Sequence, residues 1–548
     1  MTEGYAELHA HTNFSFLDGA AHPEELAAMA AARGLTALAV TDHGGLYAMV
    51  RFTAAARHVG LRALIGAELT VEAMPGIETP EPQLLVDPLA TTKPRERQRG
   101  RHHLTVLARD GTGFSNLTRM LSHSNLGAPP SDRKGYTAVA WELLTEHTAG
   151  LIVLSGCKRM GLIPRLLRAG RREAAAEAAA RLRELFDVDG GAGDFLLELQ
   201  NHMVPEDPWT CAELAELGRD TGIPCVATND VHMMTPQDKP LQDVLVAIRE
   251  RGTLDEMEAQ GLLAPNAERH VKTRAEMEEA LLGPGATAGV ATSARAPSGA
   301  IVTEPWLRRT YMEALDRTVE VAGRCDFELD LRSKRFPGFP VPEGETPFSY
   351  LYELCQEGVK IRYRPMTSVV ARRLQTELEV IEKTGLAEFF LINWDLMRFA
   401  KESGIPGQGR GSAADSIVAY LLGITRVDPV EHNLLFERFL HEEQKTTPDI
   451  DIDFASSRRE EVIQYIYEKY GADRSGMVAN VVTFRPRMAI RQVGKALGFS
   501  PATIDRLAKS ADSWYPEEAM AAAEAAGLGE VRAAPVEGGP ELSRDRVG

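Results

Sequence analysis

YAELHAH, residues 5–11, is predicted to form a β-strand, and it opens a regular alternation of strands and helices. His9 and His11 lie two residues apart on this strand, so their side chains point to the same side. A helix is predicted in PEELAAMAAARG, a strand in LTALAVTDH, a helix through AAARHVG and a strand in LRALIGAELTV. This βαβ rhythm is typical of a parallel sheet or barrel.

The alternation continues to about residue 235, with strand-like segments in HHLTVLA, GLIVLSGC, DFLLELQ and IPCVATNDVH. Two segments interrupt the pattern. Residues 73–101 are rich in Pro and are predicted to form a surface loop, and residues 283–300 are predicted to be a flexible linker or insertion that marks a domain boundary. Beyond it the chain is mostly helical before it reaches Gly-rich and acidic motifs.

Length, charge and cysteine content narrow the class of protein. At 548 residues the chain is expected to form about three or four domains. A formal net charge of −17 argues against a generally basic nucleic-acid-binding coat but allows local positive surfaces and acidic metal sites. Five cysteines without a Cys-x-x-Cys pair disfavour a disulfide framework and a zinc ribbon. With no leader-like segment and no long apolar run, a cytoplasmic location without membrane contact is expected.

Side chains that bind metals recur at the ends of the later predicted strands. They are Asp42 and His43 in VTDHG, Glu68 in GAELTV, His103 in HHLTVLA, Cys157 in LSGC, and Asp230 and His232 in TNDVHM. The carboxyl ends of barrel strands are where that architecture places its chemistry. Imidazole, carboxylate and thiolate ligands in this number suit two or three ions of Zn, Mn or Fe, which activate water for attack on phosphate esters. For any one histidine alone, an ordinary buried polar group is the alternative.

TTPDIDIDF, residues 446–454, carries three carboxylates at two-residue spacing: Asp449, Asp451 and Asp453. On a strand all three face one way, while the apolar residues between them face a core. Like charges so close destabilise the fold unless a cation neutralises them, and Mg²⁺ accepts such carboxylates. Two ions ~3.5–4 Å apart would then serve an in-line phosphoryl displacement. An exposed acidic edge strand is the alternative.

Two further segments are candidates for binding phosphate. In IPGQGRGSAADSIVAYLLG, residues 405–423, a Gly-rich turn precedes a helix-like run, and Arg410 and Ser412 are candidate phosphate donors. The turn lacks the Gly-Lys-Ser/Thr of a P-loop, so an ordinary turn before a helix, without a bound ligand, is the alternative. Residues 479–499 contain no acidic residue and four basic ones that fit either the backbone of a nucleic acid or a solvated face: Arg485, Arg487, Arg491 and Lys495.

The amino-terminal motifs HAHTNFSFLDGA, VTDHGGLY and ATNDVHM resemble those of the polymerase and histidinol phosphatase (PHP) domain, a distorted β/α barrel with a multinuclear metal site. The resemblance implies that two or three Zn²⁺ or Mn²⁺ ions are bound. It also implies nine ligands, and each position holds a side chain that can bind metal: His9, His11, Asp18, His43, Glu68, His103, Cys157, Asp230 and His232.

Together with these motifs, GQGRGSAADSIVAYLLGITRVDPVEHNLLFERFL, PDIDIDF and NVVTFRPRMAIRQVGKALG resemble a bacterial C-family DNA polymerase, the DNA polymerase III α subunit, and details favour its error-prone branch. The resemblance implies a polymerase β-like nucleotidyltransferase palm whose Asp451 and Asp453, then Asp449, bind Mg²⁺. It implies that one loop holds a deoxynucleoside triphosphate: Gly409, Arg410, Gly411 and Ser412. A DNA primer-template is the expected partner, and further accessory proteins remain open.

The resemblance gives a domain plan and leaves three functions open. The plan is a PHP domain in 1–282, a linker in 283–300, a palm portion in 301–480, a helical thumb portion in 481–528 and a loose tail in 529–548. Family members are longer, and no strand for their third catalytic aspartate is found here, so we expect no primer extension by this polypeptide alone. The alternatives are a portion of an error-prone DNA polymerase for translesion synthesis and repair, a PHP phosphoesterase or 3′–5′ exonuclease as the working activity, and a non-catalytic fragment that binds DNA or a partner.

Overall fold

The protein is described here from a computed structural model. It describes residues 4–81, 100–127, 137–187, 193–283, 304–330, 338–441, 448–471 and 474–510. The predicted linker from residue 284 onwards and the predicted tail lie outside these ranges. The chain divides into two compact units, one formed by Met1–Leu329 with Val482–Gly548 and the other by Asp330–Val481.

The first unit is built on a seven-stranded sheet whose strands follow one another in chain order. The strands are β1 (Ala6–Glu7), β2 (Ala37–Val40), β3 (Arg62–Val71), β4 (His102–Ala108), β5 (Leu151–Leu154), β6 (Phe195–Leu199) and β7 (Cys225–Ala227). The helices are α1 (Pro23–Ala32), α2 (Met49–Val59), α3 (Gly111–Gly127), α4 (Trp141–Glu146), α5 (Leu162–Arg168), α6 (Arg172–Phe186), α7 (Asp207–Thr221), α8 (Lys239–Glu250), α9 (Leu254–Ala259), α10 (Arg274–Leu282) and α11 (Pro305–Arg324). The predicted α/β class is confirmed.

The fourth strand runs against its neighbours. β1, β2 and β3 pair in parallel, and so do β5, β6 and β7, whereas β4 pairs antiparallel with both β3 and β5. The parallel pairing predicted for the first three strands is confirmed, and β4 departs from it. An antiparallel neighbour needs no helical crossover, and the described residues between β3 and β4 contain no helix.

The sheet curls until its two edge segments meet. Just beyond β1 and β7, Ala10 pairs in parallel with Val231. His11 N–H donates to the Val231 carbonyl at 2.8 Å, and Val231 N–H donates to the His9 carbonyl at 2.9 Å. These bonds fix the residues on either side of the pair at one end of the curled sheet.

Strand residues are buried on both faces of this sheet. In β2, Leu38 and Val40 join the large apolar cluster formed with the surrounding helices. Ala37 and Ala39 alternate with them and join a second cluster, to which α11 contributes Val321. Burial on both sides explains why most of these strands are nearly continuous apolar runs.

The second unit is mostly helical. It contains α12 (Pro347–Arg362), α13 (Ser368–Thr384), α14 (Ala387–Glu402), α15 (Ile417–Leu421) and α16 (Arg459–Tyr470), with one antiparallel pair of strands, β8 (Gly407–Arg410) and β9 (Asp451–Phe454). Its core includes the buried side chains of Leu351, Phe390 and Ile417. Two more helices, α17 (Pro486–Ala496) and α18 (Pro501–Ser510), belong to the first unit. No helix in the described part of the chain has the length and apolar character needed to cross a membrane.

His102 at the start of β4 gives the barrel a pH-dependent stability. Its ring is fully buried, and neither ring nitrogen has a hydrogen-bond partner within the described ranges. Burial, together with the nearby charges of His103 and Arg165, lowers the pKa of His102 to about 3 from the usual 6.5. The unfolded chain therefore takes up this proton at a higher pH than the folded chain, and the free energy of unfolding falls as the pH decreases through that window.

We expect His102→Leu to remove the decrease in the free energy of unfolding that the buried imidazole causes at low pH. Relative to the wild-type protein, the free energy of unfolding of the variant should rise by about 1.4 kcal/mol per pH unit as the pH falls below about 6. Urea denaturation of both proteins, repeated between pH 4 and 7 at steps of about half a pH unit, measures the difference in their free energies of unfolding. Parallel pH profiles for the two proteins would show that the imidazole is not the source.

Candidate functional site

Pairing of the two edge segments brings together the first group of predicted ligands. His9 Nε2 lies 3.1 Å from His11 Nε2 and 3.6 Å from Asp230 Oδ1. His11 Nε2 lies 3.4 Å from the same carboxylate oxygen. Asp230 has a φ of +48°, a left-handed conformation that is uncommon outside glycine and is often found at functional sites. The three side chains converge closely enough to share one ion.

Glu68 is the centre of a second group. Its Oε1 lies 2.8 Å from His43 Nδ1 and 2.5 Å from His103 Nδ1, and Cys157 Sγ lies 3.8 Å from the same His103 nitrogen. His103 reaches this edge because β4 is antiparallel, so the amino end of that strand lies beside the carboxyl ends of its neighbours. Glu68 Oε2 is 3.1 Å from His9 Nε2, which joins this group to the first.

A third group consists of His11, His43 and His232. Asp18 lies between two of its members, with Oδ2 at 2.9 Å from His43 Nε2 and 3.5 Å from His232 Nε2. The structure thus places all nine predicted ligands together. Seven form the three groups, while Asp18 and Cys157 contact members of them.

Two buried oxygen atoms show that this set fits metal ions. Glu68 Oε1 and Asp230 Oδ1 have no hydrogen-bond partner among the described residues, although ring nitrogens lie close to both. Buried carboxylate oxygens are costly when unpaired. Divalent ions held between these oxygens and the neighbouring imidazoles would satisfy both, and the mixed nitrogen and oxygen donors suit Zn²⁺ or Mn²⁺.

The electrostatics of the groups keep the carboxylates ionised. Burial alone would raise the pKa of Glu68, but His103 and His43 hold it well below the usual range. Burial would also raise the pKa of Asp230, but the charges of Arg269 and His9 hold it well below the usual range. Burial would lower the pKa of His43, but Glu68 and Asp18 raise it to about 10, so metal binding there would release a proton.

Glu198 is a functional candidate that the sequence analysis missed. Its Oε1 lies 2.7 Å from His9 Nδ1, and both side chains are fully buried. This contact turns His9 Nε2 towards the other ligands, as carboxylate partners of metal-binding histidines do. The available signal was a lone glutamate in the apolar strand FLLELQ.

We expect Glu198→Gln to weaken metal binding by about 10- to 100-fold, because an amide orients the imidazole less strongly and makes it less basic. Titration against a chromophoric chelator gives the affinity. Glu177→Gln, on the exposed side of α6, is the matched control and should bind metal like the wild-type protein. Equal affinities for all three proteins would remove Glu198 from the site.

Three other charged side chains, one buried and two partly buried, contact the loops or the ligands of the site. Asp42 accepts hydrogen bonds from Thr12 N–H at 2.7 Å and from the hydroxyls of Thr12 and Ser15, so it holds the loop that leads to Asp18. Arg249 Nη1 lies 2.8 Å from Asp18 Oδ1. Arg269 pairs with Asp230 in the same way.

The acidic motif of the second unit is placed differently. β9 begins at Asp451, so Asp449 precedes the strand, and all three aspartates are exposed. Arg410 lies across the ladder from Asp451, and its Nε is 2.9 Å from Asp453 Oδ2. Arg410 thereby offsets part of the repulsion between the carboxylates. Among the described residues, the three aspartates do not form a converging group of ligands.

The Gly-rich turn lies beside this strand. Gly411 has a φ of +69°, and a Cβ at Gly409 would lie only 2.8 Å from the carbonyl oxygen of Ile424, so both positions favour glycine. The amino terminus of α15 is already engaged, because Glu377 accepts hydrogen bonds from Ile417 N–H at 3.1 Å and from the Ser416 hydroxyl at 2.9 Å. A triphosphate near the turn would therefore have to use other groups, such as the exposed Arg410 and Ser412.

Three of the four predicted basic residues lie on α17, and the fourth precedes it. Arg487, Arg491 and Lys495 recur every four residues and are exposed, so they lie along one face of the helix, and Arg485 precedes its first turn. Arg491 Nη2 is 3.2 Å from Asp505 Oδ1. The arrangement forms an exposed basic stripe.

Comparison with protein families identifies both halves of the chain. Residues 7–202 match the PHP domain, and residues 349–533 match the bacterial DNA polymerase III alpha NTPase domain. The PHP match agrees with the curled sheet and its covering helices. A solved amidohydrolase from Chromobacterium violaceum aligns with 42% of this chain and 88% of its own at 19% identity, but a TM-score of 0.26 is too low to establish a shared fold.

Curated relatives extend the match to most of the chain. An error-prone DNA polymerase from Symbiobacterium thermophilum is 37% identical over 517 residues, which is 92% of this chain and 42% of that protein. Error-prone DNA polymerases from Mycobacterium bovis and Cutibacterium acnes are 39% and 40% identical over 93% and 90% of this chain, and it covers 42% and 39% of them. The chain thus spans about two fifths of the length of these relatives.

Proposed function

Because the chain belongs to the bacterial DNA polymerase III α family, in which it matches part of the error-prone members, we propose that it serves DNA-directed DNA synthesis and that its barrel hydrolyses phosphate esters with bound metal ions. The observation that carries the second part is the convergence of nine metal-competent side chains, with the buried carboxylates of Glu68 and Asp230 close to imidazole nitrogens.

The barrel residues divide into those that would hold metal and those that orient them. The ions, Zn²⁺ or Mn²⁺ in this proposal, would be held by the nine predicted ligands, and they would supply an activated water and neutralise charge on the phosphate. Glu198 orients His9 through its Nδ1. Arg249 and Arg269 keep Asp18 and Asp230 ionised and leave positive charge beside the site. A 3′–5′ exonuclease that removes terminal nucleotides is the form of this activity that fits a polymerase.

Treatment of single-stranded DNA tests the barrel activity. Purified protein with Mn²⁺ or Zn²⁺ should shorten a 5′-labelled oligonucleotide from its 3′ end, and a chelator should stop the reaction. Retention of the full-length oligonucleotide under every ion would exclude hydrolysis. If the protein then still retarded the oligonucleotide on a native gel, a non-catalytic DNA-binding role would replace it.

We also propose that the second unit binds the incoming deoxynucleoside triphosphate. The supporting observation is the β8–β9 register, which sets the Gly-rich turn beside the acidic strand. In this proposal Asp451 and Asp453, then Asp449, hold Mg²⁺, and residues 409–412 contact the triphosphate. The basic stripe of α17 would contact the backbone of the primer-template.

Removing both strand carboxylates should weaken nucleotide binding. We expect Asp451→Asn with Asp453→Asn to reduce Mg²⁺-dependent binding of a deoxynucleoside triphosphate by about 10-fold or more, because the metal loses two charged ligands. Equilibrium dialysis with labelled nucleotide measures this. Glu431→Gln, an exposed acidic residue of the same unit, is the control. Equal binding by both variants would place the nucleotide elsewhere.

A further inference from the structure

We propose that Phe16 and Tyr47 form a platform on which the terminal base of a DNA strand stacks while its phosphate lies at the metal groups, with Arg159 as a phosphate contact. This inference rests on the proposed hydrolysis and names its substrate class. The predicted occupant is a nucleotide with an intact base, rather than a phosphate ester of any kind.

The first observation is an exposed aromatic pair. The side chains of Phe16 and Tyr47 are 41% and 48% exposed, and their ring centroids lie 5.8 Å apart. Phe14, partly buried, extends the row, with its ring 6.2 Å from that of Phe16. Large aromatic rings left in contact with water are costly, and rows of them are typical surfaces for stacking the bases of single-stranded nucleic acid.

The second observation is the position of this pair. Phe16 lies two residues before Asp18, and Tyr47 lies four residues after His43. Asp18 Oδ2 and His43 Nε2 are 2.9 Å apart, so the two loops that carry the rings meet at the metal groups. A base on the platform would therefore be joined through its sugar to a phosphate near these ligands.

The Tyr47 ring is held in place by the loop itself. A Cβ at Gly45 would lie 2.3 Å from Cε2 of the ring, so the ring lies directly against the backbone of that glycine. A side chain at this position would push the ring away. On the other loop, Leu17 has a φ of +60°, a conformation that branched apolar residues seldom adopt. Such local strain is typical of a functional loop.

The third observation is a cationic group that has no carboxylate of its own. Arg159 follows Cys157 by two residues, and it makes no hydrogen bond or ion pair with the other described residues. Its side chain is partly buried, and it follows β5 in the same loop as the predicted ligand Cys157. A partly buried guanidinium without a partner is suited to bind a phosphate.

Stacking can be measured without metal and without hydrolysis. We would titrate the protein, in the presence of chelator, into a short oligonucleotide that ends in 2-aminopurine, whose fluorescence is quenched when the base stacks. The wild-type protein should quench it. Phe16→Ala with Tyr47→Ala should lose the quenching and weaken binding by about 10-fold or more, whereas Phe16→Tyr with Tyr47→Phe should retain both. Equal quenching by the alanine variant would overturn the proposal.

Arg159→Gln separates the phosphate from the base. This variant should weaken binding of an oligonucleotide with a terminal base and of one with a terminal abasic residue by the same factor, because both carry the phosphate. The alanine variant of the platform should weaken only the first. The assigned roles would be contradicted if Arg159→Gln no longer bound the oligonucleotide with a terminal base more tightly than the abasic one. They would also be contradicted if the alanine platform variant lost affinity for both oligonucleotides by the same factor.

Hydrolysis then tests the platform in the loaded protein. With Mn²⁺ the wild-type protein should cleave the oligonucleotide with a terminal base with a kcat/KM about 10-fold above that of the abasic one, and the alanine platform variant should cleave both at the lower value. Cleavage of both at equal rates by the wild-type protein would overturn the platform and leave the hydrolytic function standing. If neither is cleaved, the hydrolytic function fails, and the fluorescence titration alone decides whether the platform binds a base.

Discussion

His9→Ala is expected to lose at least about 100-fold of the metal-dependent hydrolysis of single-stranded DNA. Its Nε2 lies 3.1 Å from both His11 Nε2 and Glu68 Oε2, so this one imidazole belongs to the first group and links it to the second. The variant also leaves the buried carboxylate of Glu198 without its partner at 2.7 Å. Loss of a supporting residue alone costs about 10- to 100-fold in metal affinity or activity, so loss of a ligand should cost more.

The initial rate of 3′-end shortening with Mn²⁺ measures this effect. His58→Ala, an exposed histidine on α2, is the matched control and should keep the wild-type rate. Near-ultraviolet circular dichroism shows whether the variant keeps its tertiary packing, so that a folding defect is recognised. A His9→Ala protein that remains folded and cleaves DNA at the wild-type rate would exclude the barrel as the source of the activity.

Asp207→Ala is expected to lower the free energy of unfolding of the first unit by about 3–5 kcal/mol. Asp207 Oδ2 lies 2.5 Å from Lys158 Nζ and accepts the His202 N–H at 2.7 Å, and both charged side chains are buried. Burial lowers the pKa of Lys158, while the charge of Asp207 opposes that shift. Without the carboxylate, the protein must bury an unpaired ammonium or deprotonate it, and both are costly.

Chemical denaturation followed by near-ultraviolet circular dichroism measures the loss. Glu24→Ala breaks an ion pair with Arg51 that is about half exposed, and it should cost at most about 1 kcal/mol. Lys158→Met with Asp207→Leu should recover most of the stability, because it removes both charges together. If Asp207→Ala were as stable as Glu24→Ala, the buried pair of Lys158 and Asp207 would contribute little to the free energy of unfolding.

The strands and helices of the barrel follow from local patterns that the sequence displays. β3 and β4 coincide closely with the predicted segments LRALIGAELTV and HHLTVLA, because apolar runs bounded by polar turns are typical of buried strands. The direction of β4 could not be predicted in this way. Strand direction depends on the connection, and a long Pro-rich segment does not reveal which way the chain returns.

The ligands of the candidate site were predictable because they come in short motifs, whereas their supports were not. His9 and Glu198 are 189 residues apart, and nothing local links them. Arg249 and Arg269 also reach the site from outside the motifs. In the second unit, the alternation of Asp and Ile predicted the strand, but the contact of Arg410 with Asp453 depends on a register that only the fold defines.

The number of metal ions bound per chain tests the central claim most directly. After the protein is loaded with Zn²⁺ or Mn²⁺ and dialysed, elemental mass spectrometry should find about two to three ions per chain in the wild-type protein and fewer in His9→Ala. Asp451→Asn with Asp453→Asn should not change the count of tightly held Zn²⁺, because those carboxylates are exposed and do not converge with other ligands. Fewer than about two ions per wild-type chain, or the same count in His9→Ala, would contradict a multinuclear site in the barrel.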